Sequence, residues 1–279
     1  MGQPVPHHQL DTDIGARNAA ARPLDRALYA ARKVPEVTVY FWIIKVLTTG
    51  MGETTSDFLV RQMVPEIAVA LGGVCFVAAL VLQLAARRYV PWIYWLAVVM
   101  VAVFGTMVAD VIHVQFGVPY VVSTVFFAAA LAVIFVTWYA SERTLSIHTI
   151  NTRRRELFYW ATVVATFALG TTAGDMTART FQLGFFASGV LFALIFAVPA
   201  VGYWLFGLNE VFAFWFAYVV TRPLGASFAD WLGMPSDLQG LGLGLGQISL
   251  ALAIVIIGFV AYLTVTRKDV KSPATPPRG

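Results

Sequence analysis

Residues 42–57 read Trp-Ile-Ile-Lys-Val-Leu-Thr-Thr-Gly-Met-Gly-Glu-Thr-Thr-Ser-Asp, and the skeleton of this stretch returns three more times. Trp42, Trp95, Trp160 and Trp215 are each followed ten residues later by a glycine: Gly52, Gly105, Gly170 and Gly225. Five residues further on stands an aspartate: Asp57, Asp110, Asp175 and Asp230. The chain has only 9 Asp in 279 residues, so four at one register inside apolar segments mark a repeated unit. Each copy sets an acid near the same end of a hydrophobic helix, where an ionised group is costly.

Working outward, hydrophobic residues make up 59% of the chain and charged residues 12%, with mean hydropathy +0.75. A soluble domain carries about 25% charged residues, so the composition is that of an all-α polytopic membrane protein. Eight transmembrane helices are expected, near 37–59, 64–86, 92–113, 119–140, 157–178, 183–205, 209–232 and 239–264. Each has about the 20 residues that cross a hydrocarbon core. The side shared by both tails holds 15 of the 19 Lys and Arg, which predicts cytoplasmic N and C termini. The net charge of +4 is therefore read as topology, and no nucleic-acid partner is expected. A single cysteine, Cys75, excludes a disulfide framework or a zinc cluster and reads as packing. Residues 1–35 lack the apolar centre of a secretory signal, and both 1–35 and 266–279 read as disordered tails around one membrane domain, 36–265.

The repeats run over about 36–88, 89–142, 155–207 and 208–265, each an odd helix with Trp, Gly and Asp and then a plainer even helix. Two spans per unit make all four odd helices parallel. Proline opens the even helices at Pro65, Pro119 and Pro235, with Leu183-Gly184-Phe185 in the third repeat. The loop Ser141–Glu156 separates two halves, and Gly240/Gly244 and Gly242/Gly246 have the spacing that lets membrane helices approach.

The stretch Lys33-Val34-Pro35-Glu36-Val37-Thr38 through Tyr40-Phe41-Trp42-Ile43-Ile44-Lys45, then Gly52-Glu53-Thr54, resembles the opening of a bacterial family of uncharacterised membrane-anchored proteins. Members have four tandem repeats, each with two transmembrane regions and a characteristic tryptophan. The resemblance spans about 36–264 and implies a multi-pass protein of the bacterial inner membrane. It supplies no activity.

The chemistry is concentrated in the acids. A carboxylate at the end of a helix faces the negative pole of its dipole, so four in that position call for a cation, a proton or a basic partner. Glu53 and Asp57 share a helix face at i,i+4. Thr54, Thr55, Thr106, Thr171, Thr172 and Ser227 bring hydroxyls to the Glu53 register. Such oxygen-rich surroundings suit Mg²⁺, Ca²⁺ or Mn²⁺, although threonine hydroxyls also satisfy the carbonyl one turn back. His113 shares a face with Asp110, and Asp175 with Arg179, which offers Asp175 an ordinary ion pair instead. Lys45 is expected to snorkel, Arg222 precedes a kinking Pro223, and both are candidate partners for the acids. The glycines promise close approach or local unwinding, and the tryptophans an aromatic belt at the membrane boundary.

Two functions follow as expectations. The first is a proton-coupled transporter of an inorganic cation through a site of Glu53, Asp57, Asp110, Asp175 and Asp230, with a bound divalent cation the sole cofactor-like group. The second is a non-transporting structural or sensory membrane protein whose acids are ion-paired. HExxH, GxSxG and glycine-rich phosphate motifs are absent from the sequence, so an enzyme is not expected.

Overall fold

The structure, a computed structural model, describes residues 32–270. The expected tails fall mostly on residues 1–31 and 271–279, outside the described ones. Eight long helices follow one another: α1 (Val39–Gln62), α2 (Pro65–Ala85), α3 (Pro91–Asp110), α4 (Tyr120–Glu142), α5 (Arg153–Asp175), α6 (Gly184–Phe206), α7 (Glu210–Gly233) and α8 (Leu245–Thr266). No strand occurs among the described residues. Seven helices are long and apolar enough to cross a membrane. α1 is the exception because Lys45, Glu53, Asp57 and Arg61 lower its hydropathy.

Local chemistry fixes the helix starts. Thr38, Thr152 and Asn209 cap α1, α5 and α7 with side-chain oxygens that accept from first-turn N–H groups. Pro91 and Pro65 occupy the first turns of α3 and α2, where a missing N–H is harmless.

The odd helices close a ring, α1 against α3, α3 against α5, α5 against α7 and α7 against α1. The even helices lie outside it. Each packs chiefly on the odd helix of the following repeat: α2 on α3, α4 on α5, α6 on α7 and, closing the circle, α8 on α1. Val74, Val125, Leu194 and Ile254 on the outer helices stay exposed, as lipid-facing side chains do. All four odd helices start at one end, where Lys33 donates to Glu156 (2.5 Å) and Tyr89 to Asp269 (2.5 Å).

Each repeat glycine receives the next odd helix seven residues beyond its tryptophan. A Cβ on Gly52 would stand 2.3 Å from the Ala102 Cβ, and one on Gly105 would stand 3.1 Å from that of Phe167. On Gly170 it would meet Arg222 Cγ at 2.4 Å, and on Gly225 it would meet Thr49 Oγ1 at 1.9 Å. The helices stay continuous there, so close approach, without unwinding, is what the glycines provide.

Several expectations are corrected. The tryptophans form no belt: Trp95, Trp160 and Trp215 are buried, and Trp42 is half-buried. Each packs at a tilt against the aromatic one residue before the previous repeat's tryptophan: Phe41–Trp95 at 5.6 Å, Tyr94–Trp160 at 5.8 Å, Tyr159–Trp215 at 6.0 Å and Phe214–Trp42 at 5.7 Å between ring centroids. Pro235 does not open the fourth even helix; it leads only into a single 3-10 turn, Ser236–Leu238. Residues 239–244 form a loop in which Gly242 and Gly244 take positive φ, and α8 begins at Leu245. The inter-half loop is shorter than expected, 143–152, and packed, with Ile147 and Ile150 buried and Leu145 O accepting from Trp215 Nε1 (2.9 Å). Packing also reaches beyond 36–265, since Lys33, Val34 and Asp269 are buried.

Candidate functional site

The ring turns one face of every odd helix inward, and equal registers become layers. Phe41, Tyr94, Tyr159 and Phe214 form the layer at the end where the tails meet. Next come Lys45, Val98, Val163 and Tyr218, then Thr49, Ala102, Phe167 and Arg222, then Glu53, Thr106, Thr171 and Ala226, all buried. Asp57, Asp110, Asp175 and Asp230 make the last layer. Fifteen residues separate each Trp from its Asp, so the axis between them is about 22 Å long.

Arg222 dominates the middle. It projects from α7 into space left by Gly170 and bonds the other three odd helices. Its guanidinium donates to Thr49 O (3.0 Å) and Glu53 Oε2 on α1, to Thr106 Oγ1 on α3, and to Thr171 Oγ1 (2.8 Å) on α5. Both threonine hydroxyls can accept because they donate backwards, Thr106 to Ala102 O (2.9 Å) and Thr171 to Phe167 O (3.0 Å). Thr54 only back-bonds, to Gly50 O at 3.1 Å, and takes no part. Glu53 and Arg222 are both almost wholly enclosed, and each lone charge would be costly there.

Lys45 does not snorkel. It is fully buried, with Nζ 4.0 Å from the Phe167 ring centroid and 4.3 Å from that of Tyr218. No hydrogen-bond acceptor among the described residues reaches it, and aromatic faces make the contact. On its tail side Tyr94 and Tyr159 share a hydrogen bond (2.5 Å) within the aromatic layer that shuts the axis.

The acids divide into kinds. Asp175 pairs with Arg179 Nε at 2.9 Å. Asp230 is buried, and its Oδ1 has no hydrogen-bond partner among the described residues. It lines, with Glu53, Thr171, Asp175 and Ser227, a cavity of about 10 Å³, room for about one water-sized occupant. Asp57 and Asp110 are half-buried, within Coulombic reach of Glu53 and Asp175. Asp110 and Asp175 are also not terminal: π-turns Val111–Gln115 and Met176–Thr180 carry both helices five residues further. Such turns often occur at functional sites. His113 leaves Asp110 for Val118 O (2.7 Å) and stacks on Tyr120. No three His, Cys, Asp or Glu among the described residues form a ready metal shell.

The aromatic layer and the role of Phe167 were not anticipated. The signal was available, because an aromatic precedes each of the four tryptophans.

Fold and site define a multi-helix, membrane-type repeat protein with a polar interior axis. The chain belongs to the family described as Repeat of Unknown Function (DUF347), whose profile matches it four times, at residues 40–89, 93–144, 158–207 and 213–269. No curated protein and no solved structure matches it.

Proposed function

We propose that this protein is a carrier of a small inorganic cation, coupled to protons. In this reading all eight helices span a bacterial inner membrane and both tails are cytoplasmic. α1 spans with the rest because its 24 residues extend about 36 Å, its mid-helix charges Lys45 and Glu53 are buried in the ring, and the exposed Arg61 sits in its last turn. The excess of Lys and Arg at the tail end supports the orientation.

The observation that carries the reading is Asp230: a buried carboxylate oxygen without a partner, facing a cavity shared with Asp175, Glu53, Ser227 and Thr171. Oxygen donors around so small a space suit a dehydrated cation or a proton-bearing water. Inward of the cavity, Arg222 and Lys45 oppose the passage of any free cation, and the aromatic layer closes the axis. This favours a carrier with an occluded site over an open pore. Glu53 links the two regions. A cation entering the acid layer competes with Arg222 for it, so binding and release of the Arg222 latch are coupled, and protons can replace the cation on the carboxylates when it leaves.

The test is the melting temperature of purified protein against a panel of mono- and divalent cations at several pH values. A variant with Asp57, Asp110, Asp175 and Asp230 all changed to Asn is run beside it. A selective rise in the wild type, lost in the variant, is expected and leads to flux measurements in liposomes. A folded, equally stable variant and no ion-dependent rise would sink the proposal. The second reading, a non-transporting membrane protein, is favoured by the Arg222–Glu53 and Arg179–Asp175 pairs, and it would then stand.

A further inference from the structure

A second site lies away from the axis, at the end where the tails meet. A pocket of about 400 Å³ opens between the start of α3 and the end of α8, walled by Arg88, Tyr89, Pro91, Thr264, Arg267 and Asp269. Arg32 also borders it and is engaged by Glu36. Arg88 and Arg267 are exposed, and neither has an acid within ion-pairing distance among the described residues. The positive end of the α3 dipole adds to the charge of Arg88, while Arg267 caps the negative end of α8. Asp269 is only 2% exposed. One of its oxygens accepts from Tyr89, and the other, Oδ1, is buried with no hydrogen-bond partner among the described residues.

Two exposed guanidiniums with no acid partner among the described residues can take an anion with several oxygens, and phosphate matches their planar forks. An unpartnered carboxylate oxygen in the same pocket requires a donor. Thr264 lies in the last turn of α8, which sets the pocket at the level where a hydrocarbon core gives way to headgroups. We propose that this pocket binds a phosphate ester that also carries a hydroxyl or ammonium donor. That is the chemistry of a lipid headgroup at the inner membrane surface, shared with small soluble phosphate esters. Arg88 and Arg267 take the phosphate oxygens, and Asp269 Oδ1 accepts from the donor. The headgroup assignment rests on the membrane placement of the carrier reading, and not on cation transport.

The test uses the full-length protein in an uncharged detergent, and binding is read from the rise in melting temperature with ligand concentration. The probes are dihexanoyl phosphatidylglycerol, which has hydroxyl donors, dihexanoyl phosphatidylcholine, which has none, and glycerol 1-phosphate. Phosphatidylglycerol is expected to stabilise the wild type and phosphatidylcholine to do so much less. Each arginine removed should weaken binding about fivefold, and R88Q/R267Q about 25-fold. R143Q, a charge lost at the same end outside the pocket, should bind as the wild type does. The single variant R88Q, altered at an exposed side chain, keeps the test decisive if the double variant does not fold. A response to the lipid alone assigns the site to headgroups, and an equal response to glycerol 1-phosphate assigns it to a soluble ester; both support the proposal. It is overturned by no response to either probe, by equal binding of phosphatidylcholine, or by R88Q binding as tightly as the wild type.

Discussion

Arg222 has one acid partner and three helices to hold. In water an Arg–Glu pair contributes little, but here both groups are enclosed and neither can be removed alone without stranding the other's charge. R222L therefore leaves Glu53 uncompensated and should cost about 3–5 kcal/mol, seen as a large drop in melting temperature of the detergent-purified protein. E53L/R222L, which removes both charges, should recover most of that loss. A double variant no better than R222L would mean that the bonds to Thr106, Thr171 and Thr49 O carry the stability instead. Asp269 allows a different experiment. Burial pushes its carboxyl above the ordinary carboxylate range, with the bond from Tyr89 offsetting part of the rise. A raised folded-state value means that the native state prefers the protonated acid. The contribution is fully present below the unfolded value of about 3.9 and is lost as pH rises through the folded one. D269N should thus match the wild type near pH 4 and gain on it as pH rises toward 7, measured by thermal melts across that range. A difference that is constant with pH would show that Asp269 does not titrate with folding.

Helix packing in this protein is decided by what the glycines leave out. A Cβ at Gly52 would stand 2.8 Å from the Ala102 backbone carbon, and one at Gly170 would stand 2.9 Å from Pro223 Cδ, neither of which a rotamer change can relieve. G52A and G170A should each destabilise by about 1–3 kcal/mol, the cost of overpacking. G258A, with nothing within 4 Å, should stay within about 0.5 kcal/mol of the wild type. Melting temperatures of the three variants decide the matter, and equal losses in all three would refute close approach as the glycines' role. The Trp, Gly and Asp registers were legible because four copies repeated them. The direction the tryptophans face was not. A helix that meets lipid on one side and protein on the other is apolar on both, so periodicity does not say which face is inner. That is why Trp95, Trp160 and Trp215 read as a boundary belt and turned out to be packed inside. Lys45 misled for a related reason: its neighbours in sequence suggested a short reach to water, whereas Phe167 and Tyr218, which cover it, come from two other helices.

The molecule closes on itself. α8 covers α1 as α2 covers α3, so the first and fourth repeats are neighbours although the chain holds them furthest apart. The parallel odd helices could be read from sequence, because two spans per repeat leave no other arrangement. The circle could not, since it rests on contacts between residue ten of one repeat's count and residue seven of the next, visible only once the helices are assembled. The arrangement of the candidate site followed the same division. The acids were found by their register and Arg222 was read as a partner for them, but that it meets Glu53, together with Thr106 and Thr171, showed only once the last repeat was brought against the first three. Closure also bears on topology. Trp138, Glu156, Tyr89 and Asp269 share the tail end, whereas Phe116, Gln182 and Asp237 lie at the end of the odd helices where the acids sit. If all eight helices span with the tails inside, single cysteines at 116, 182 and 237 in a C75A background should react with a membrane-impermeant thiol reagent added to intact cells. Cysteines at 143 and 268 should react only after permeabilisation. Because α1 is the one long helix below the hydropathy of a usual span, the pair 37 and 63, which flanks it, is the sharpest case. Labelling of 63 from outside and of 37 only after permeabilisation requires an odd number of crossings between them, and so requires α1 itself to cross. Labelling of both from the same side would place α1 on the membrane surface, leave the ring open in the bilayer, and remove the basis for an enclosed axis.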